Sequence, residues 1–136
     1  MTPKFANTSP SFHVELKKRI NQYFAATGKE MTGGWRLISK AIFLVVLLIA
    51  TYTTLVFFTP TWPWAIALSA LLGFTTAAIG FNIMHDGGHG SFSRYKWMNK
   101  TAANFAEFVG ASQFMWNMKH NVIHHAYANI DGIDDD

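Results

Sequence analysis

The chain contains no cysteine. That excludes disulfide frameworks, thiolate nucleophiles and Cys-based zinc or iron–sulfur sites, so any metal must be held by histidine, carboxylate or water. A second absence is local. From Ala41 to Met84 there is no Lys, Arg, Asp or Glu. A soluble domain of 136 residues would interleave charge with its core, whereas so long an uncharged stretch reads as membrane-embedded. No cleavable signal peptide is apparent, because the first apolar run starts only at Ala41. There is no internal repeat and no low-complexity tract.

The charge that is present has a pattern. The net charge is +3. Lys17, Lys18, Arg19, Lys29, Arg36 and Lys40 precede the apolar stretch, and Arg94, Lys96, Lys100 and Lys119 follow it. Basic residues flanking apolar spans report membrane topology rather than nucleic-acid binding, so no nucleic acid is expected as a partner.

Ser9-Pro10 is a plausible helix start, with serine capping and proline in the first turn. Phe12, Leu16, Ile20, Tyr23 and Phe24 recur at spacings of three and four, which predicts an amphipathic helix ending near Gly28, its apolar face packed on protein or, as the preferred reading, laid on the bilayer surface. The first span is AIFLVVLLIATYTTLVFF, residues 41–58, about 27 Å long at the helical rise. A turn over 59–63 leads to a second span, about 64–84, of about 31 Å. Gly73, Ala77, Ala78 and Gly80 permit close helix packing. Trp35 and Trp62 suit the interface. The turn carries no Lys or Arg, so the positive-inside rule puts residues 1–40 and everything after Met84 in the cytosol. Residues 101–119 predict a helix at the interface rather than a third span. The fold class expected is thus all-α integral membrane: an N-terminal amphipathic helix, a two-span hairpin, then cytosolic or interfacial helices.

Five of the six histidines fall in two groups, His85-Asp-Gly-Gly-His89 and His120-Asn-Val-Ile-His124-His125. A spacing of four stacks two imidazoles on one helix face, near enough to share a metal. Gly87 and Gly88 would loosen the last turn of the first group. His125 adds a ligand turned about 100° away, a pattern that can feed two metal centres. Neutral imidazole binds iron, zinc or copper, and polar ionisable groups at a membrane boundary are functional candidates. His13, alone in the N-terminal helix, reads as a polar anchor. Asp86 reads as a candidate partner orienting a ligand imidazole, or as a solvated helix-end residue.

At these residues the chain resembles the membrane fatty acid desaturases. Their first box is H-x3-4-H and their second H-x2-3-H-H; HDGGH at 85–89 and HNVIHH at 120–125 look like these. GSFSRYKWMNK and HHAYANIDGIDDD also look like this family, and most like bacterial acyl desaturases related to front-end (Δ5/Δ6-type) enzymes. The resemblance implies that residues 1–136 are the N-terminal part of one desaturase domain. It implies dehydrogenation of a fatty acyl chain (on CoA, carrier protein or lipid) by O2 at two non-haem irons, with His85, His89, His120, His124 and His125 as ligands. Apolar faces of the spans and of residues 103–118 would line the acyl path, with Trp116 and Asn117 beside the site. Electrons would come from a separate donor such as ferredoxin, or cytochrome b5 with a reductase, or from a part of the protein outside these residues. The setting implied is a multi-pass protein of a bacterial cytoplasmic membrane.

Two departures bear on this. The family's third box, [HQ]-x2-3-H-H, is not found, so the chain is expected to be an incomplete fragment, inactive alone. No HPGG of a cytochrome b5-like segment occurs. Rival readings are a lipid or hydrocarbon hydroxylase or ketolase of the same superfamily, and a non-enzymatic haem- or zinc-binding membrane protein. Haem sandwiching needs histidines within facing spans, and a zinc hydrolase of the HEXXH type lacks its motif here.

Overall fold

In the computed structural model, residues 12–58 and 60–135 are described, and they fall into two units divided between Met31 and Thr32. All regular structure among the described residues is helical. The first unit contains one helix, α1, Phe12–Thr27. It buries none of its residues, and Phe12, Leu16 and Ile20 stay exposed. Gly28 ends it at φ 63°, as a residue without a Cβ readily does. The expected start at Ser9-Pro10 lies outside the described residues.

The second unit is built on a helical hairpin. α2 runs Gly34–Phe57 and α3 runs Trp62–Ile79. Both exceed the expected spans at their N-termini. Trp35, Arg36 and Lys40 extend α2, because nothing between Gly34 and Ala41 breaks a helix. Trp62 and Pro63, expected in the turn, form the first turn of α3, where proline loses no hydrogen bond. α3 continues through a π segment, Gly80–Met84, into α4, His85–Gly88, so the apolar helix is continuous from Trp62 to Gly88.

These helices bury little of their surface against protein. α2 buries only Ala41 and Thr51, and α3 only Thr75 and Ile79. Phe43, Phe57, Trp62 and Phe74 are exposed. A soluble protein would hide such helices; these two are long and apolar enough to cross a membrane and present their side chains outward. Polar groups within them are satisfied locally: the Thr54, Thr75 and Thr76 hydroxyls each donate to the carbonyl four residues back, at 2.8 Å. The molecule is an all-α membrane protein.

Ala41, Ile79, Ile83, Phe92 and Ala102 make the small core where the hairpin meets the following segment. Lys40 Nζ donates to Asn82 Oδ1 at 2.7 Å, tying α2 to the π segment. Gly33 N–H donates to the Ser91 carbonyl at 3.0 Å. The loop after α4 is then shaped by Asn99. Its Oδ1 accepts from Ser93 N–H at 2.7 Å, while its Nδ2 donates to the Gly90 and Ser93 carbonyls at 3.0 and 2.8 Å.

Residues 101–119 do not form the single helix expected. α5 spans Lys96–Ala103, α6 Phe105–Phe108 and α7 Gln113–Trp116. Gly110 breaks the run at φ 83°. Glu107 Oε1 then accepts from Gln113 N–H at 3.0 Å, and the Ser112 hydroxyl caps α7 at Met115 N–H. α7 passes into a second π segment, Asn117–His124, and a last turn, α8, His125–Tyr127.

Candidate metal centre

The first histidine box follows a π segment, and the second lies largely within one. His85 N–H donates to the Gly80 carbonyl and His125 N–H to the His120 carbonyl, both five residues back. Such widened turns are rare and cluster at functional sites. The first box itself keeps α geometry, with His89 N–H donating to the His85 carbonyl at 3.1 Å. The glycines do not loosen it. The turn ends at Gly90, at φ 70°.

The glycines serve close approach instead. A Cβ on Gly87 would stand 2.6 Å from the Ala102 Cβ, inside α5. A Cβ on Gly88 would collide with the Trp116 ring. Gly73 and Gly80, the positions expected to allow close packing, have nothing within 4 Å of such a Cβ. The tight contacts therefore lie at the box rather than along the span.

That packing gathers the five box histidines. The ring centroids of His85 and His89 are 4.5 Å apart, and His120 lies 5.1 and 5.2 Å from them. His125 meets His89 at 4.9 Å and His120 at 5.0 Å. The π turn returns a residue five positions on toward the same face, which brings His125 beside His120. His124 stacks on His120 at 5.2 Å and 12°. Trp116 forms one wall, stacked on His120 at 4.8 Å and edge-on to His85 and His89. Asn117 sits one residue further, bonded through Oδ1 to Asn121 Nδ2 at 2.9 Å. His13 stands in the other unit.

One ligand nitrogen each from His85, His89 and His120 lie within 4.8 Å of one another. Nitrogens on opposite sides of one ion at a bond length of about 2.1 Å lie about 4.2 Å apart, so small ring rotations bring this set to coordinating distance. An all-imidazole donor set suits a first-row transition ion. Desolvation by the neighbouring groups holds the His89 imidazole below the ordinary histidine value, although the residue as a whole is exposed; His85, His125 and His120 push it the same way, against an opposing pull from Asp86. A ring kept neutral is a ring able to bind metal.

Two residues that the sequence did not single out complete the frame. Asn121 Nδ2 donates to the Gly88 carbonyl at 3.3 Å, joining the second box to the first. Asp134, whose side chain is 5% exposed, places Oδ2 and Oδ1 3.0 and 3.2 Å from His124 Nδ1. Asp86, the carboxylate singled out from the sequence, reaches His85 Nδ1 only at 3.5 Å. Its carbonyl accepts from the N–H groups of Ser91 and Phe92, at 2.9 and 3.2 Å. A hollow of about 580 Å³ opens beside the rings, bounded by His85, His120, His124 and Trp116 and, on the span side, by Thr76 and Phe81.

A two-span helical hairpin ending in paired histidine boxes defines a histidine-box membrane protein. The profile of the fatty acid desaturase family matches residues 60–136, more than half of the chain, and the chain belongs to that family. It is 35% identical to the sn-1 linoleoyl-lipid 6-desaturase of Arthrospira platensis, over 93% of this chain and 34% of that protein. It is 30% identical to the enzyme of the same name from Synechocystis sp., over 90% of this chain and 34% of that one. The acyl-lipid (8-3)-desaturase of Physcomitrium patens is 30% identical over 92% of this chain and 26% of its own length. The chain thus spans about a third or less of the relatives it matches. No solved structure matches it.

Proposed function

We propose that the intact protein is an acyl desaturase that uses O2 to introduce a double bond into a fatty acyl chain, and that His85, His89, His120, His124 and His125 are metal ligands in it. The observation that carries this reading is the gathering of five imidazoles from two helices at the edge of an apolar hollow. When bound, two non-haem irons would supply the oxidising chemistry that removes two hydrogens from an unactivated acyl chain. What these residues contribute is placement. The π turns and the Gly87 and Gly88 contacts hold the rings together, and Trp116 closes one side. Thr76 and Val109 border both the 580 Å³ hollow and a second one of about 430 Å³ between Leu48, Tyr52 and Phe108. Together the hollows supply an apolar route from the spans to the rings for the acyl substrate.

The names of the relatives favour an acyl chain carried on a lipid rather than on CoA or carrier protein. Basic residues on both flanks of the hairpin support a cytosolic placement of the N-terminus and both boxes. Electrons would come from a donor such as ferredoxin or cytochrome b5, either separate or carried on another part of the full-length protein. In a protein of the relatives' length these residues would supply five histidines of one desaturase domain.

Lipid analysis of cells expressing the full-length protein, with iron measured on the purified product, tests the reading. A new acyl double bond and bound iron without a haem band are expected, both abolished in His85→Ala and in His120→Ala. A hydroxylated product, or full iron retention in both variants, would overturn it.

A further inference from the structure

Asp134 lies ten residues beyond His124, past a loop with no periodic pattern. The chain turns back there through Asn129 at φ 61° and Gly132 at φ 75°. Asp134 N–H donates to the Ile130 carbonyl at 3.0 Å, closing the turn. Lys119 Nζ meets Asp135 Oδ2 at 2.7 Å, which fastens the loop to the second π segment. The result is a carboxylate carried almost out of solvent and set against one ring nitrogen.

A buried carboxylate is costly unless its oxygens accept hydrogen bonds. Here one donor is the Asn129 N–H, 2.8 Å from Oδ2. Another is available at His124 Nδ1, within reach of both oxygens. A neutral imidazole carries its proton on one nitrogen only. The carboxylate requires that proton on Nδ1, which leaves the Nε2 lone pair for a metal. Asp86 does not do the same for His85, since its Oδ1 is 3.5 Å away and its side chain is 33% exposed.

We propose that Asp134 is a positioning residue for the metal centre: it fixes the Nδ1–H tautomer and the orientation of His124, so that Nε2 is presented for coordination. The proposal rests on the metal-ligand reading of the boxes. It makes the loop after the second box part of the site's construction, contributed without a ligand of its own.

The test uses the full-length protein and two readouts. In the metal-free protein, ¹⁵N chemical shifts of His124 should report a protonated Nδ1, and Asp134→Ala should release the ring to a mixture of tautomers. In a chelator competition with ferrous iron, Asp134→Ala should bind about 10- to 100-fold more weakly, the usual effect of removing such a partner. Asp134→Asn, which keeps an acceptor, should recover part of that loss. Lys119→Ala removes the tie to Asp135 while keeping the Asp134 side chain, and its iron affinity should fall clearly less than that of Asp134→Ala. A protonated Nε2 on His124 in the parent protein would overturn the proposal. So would equal losses in Lys119→Ala and Asp134→Ala, or iron affinity unchanged in Asp134→Ala. If the parent protein binds no iron, the metal reading fails by itself, and the tautomer measurement still judges Asp134.

Discussion

The two histidine boxes are held by opposite means. The first is held by backbone: an α turn at the end of a long span, with Gly87 against α5 and Gly88 against the Trp116 ring. The second is held by side chains: a π segment whose rings take their places from Asn121, Asp134 and the Trp116 stack. A box at the end of a membrane helix inherits that helix's rigidity and needs only room for close contact. A box on a short segment with no span of its own has no such support. It must be fixed by hydrogen bonds that reach elsewhere in the chain.

The comparison is broken most sharply at the glycines. Gly87→Ala drives a methyl into the backbone and side chain of α5 and should cost about 1–3 kcal/mol. Gly88→Ala meets only the rim of the Trp116 ring, which can turn, so its thermal loss should be smaller while its Trp116 environment shifts more. Gly73→Ala, in open space on α3, should not destabilise at all, because alanine suits a helix interior better by about 0.5–1 kcal/mol. Thermal unfolding in detergent, read beside tryptophan fluorescence, checks the order. A Gly73→Ala variant as damaged as Gly87→Ala would mean the first box owes nothing special to its backbone contacts.

A smaller effect is expected at Asn121. Removing its side chain leaves the Gly88 carbonyl and Asn117 Oδ1 without that donor, at about 1 kcal/mol. The loss is limited because Asn121 Oδ1 itself has no partner among the described residues, and alanine removes that unpaired acceptor too. Asn121→Asp should do worse than Asn121→Ala, since a carboxylate cannot donate to either oxygen. Chemical or thermal denaturation of the three forms gives the ranking, and an Asp variant as stable as the parent would remove Asn121 from the frame.

The smallest effect is on pH. His89 is held below its ordinary value of 6.5, so protonation is disfavoured in the folded state relative to the unfolded one. Its contribution to stability is therefore present above pH 6.5 and lost as the pH falls through the depressed folded value. The metal-free protein should melt lower on the acid side of pH 6.5, and His89→Gln should flatten that slope. A slope unchanged by the substitution would assign the acid sensitivity to another group.

The sequence made the hairpin and the five histidines legible for a plain reason. Spans and clustered ligands are written locally, as an uncharged run and as short spacings. The elements that bring the rings together are not written that way. Nothing in GFNIM or NMKHNVIH marks a π turn, since the extra residue shows only in where the next carbonyl falls. The break at Gly110 was visible as composition, yet its effect on α6 and α7 depends on Glu107 reaching Gln113. Asp86 stood next to a histidine and drew notice. Asp134 stood ten residues away, among other acids, and only the turn through Asn129 and Gly132 brings it to His124.

The π segment between α3 and the first box also has a mechanical meaning. A helix turns about 100° for each residue, so one residue absorbed in a widened turn resets the phase of everything beyond it. The outward-facing pattern of α3 and the inward-facing pattern of His85 and His89 therefore belong to two different helical wheels joined at Gly80. Substitutions that retune the span's lipid face leave the box's bearing alone. Anyone grafting this box onto another membrane helix would have to transplant the phase shift along with the histidines.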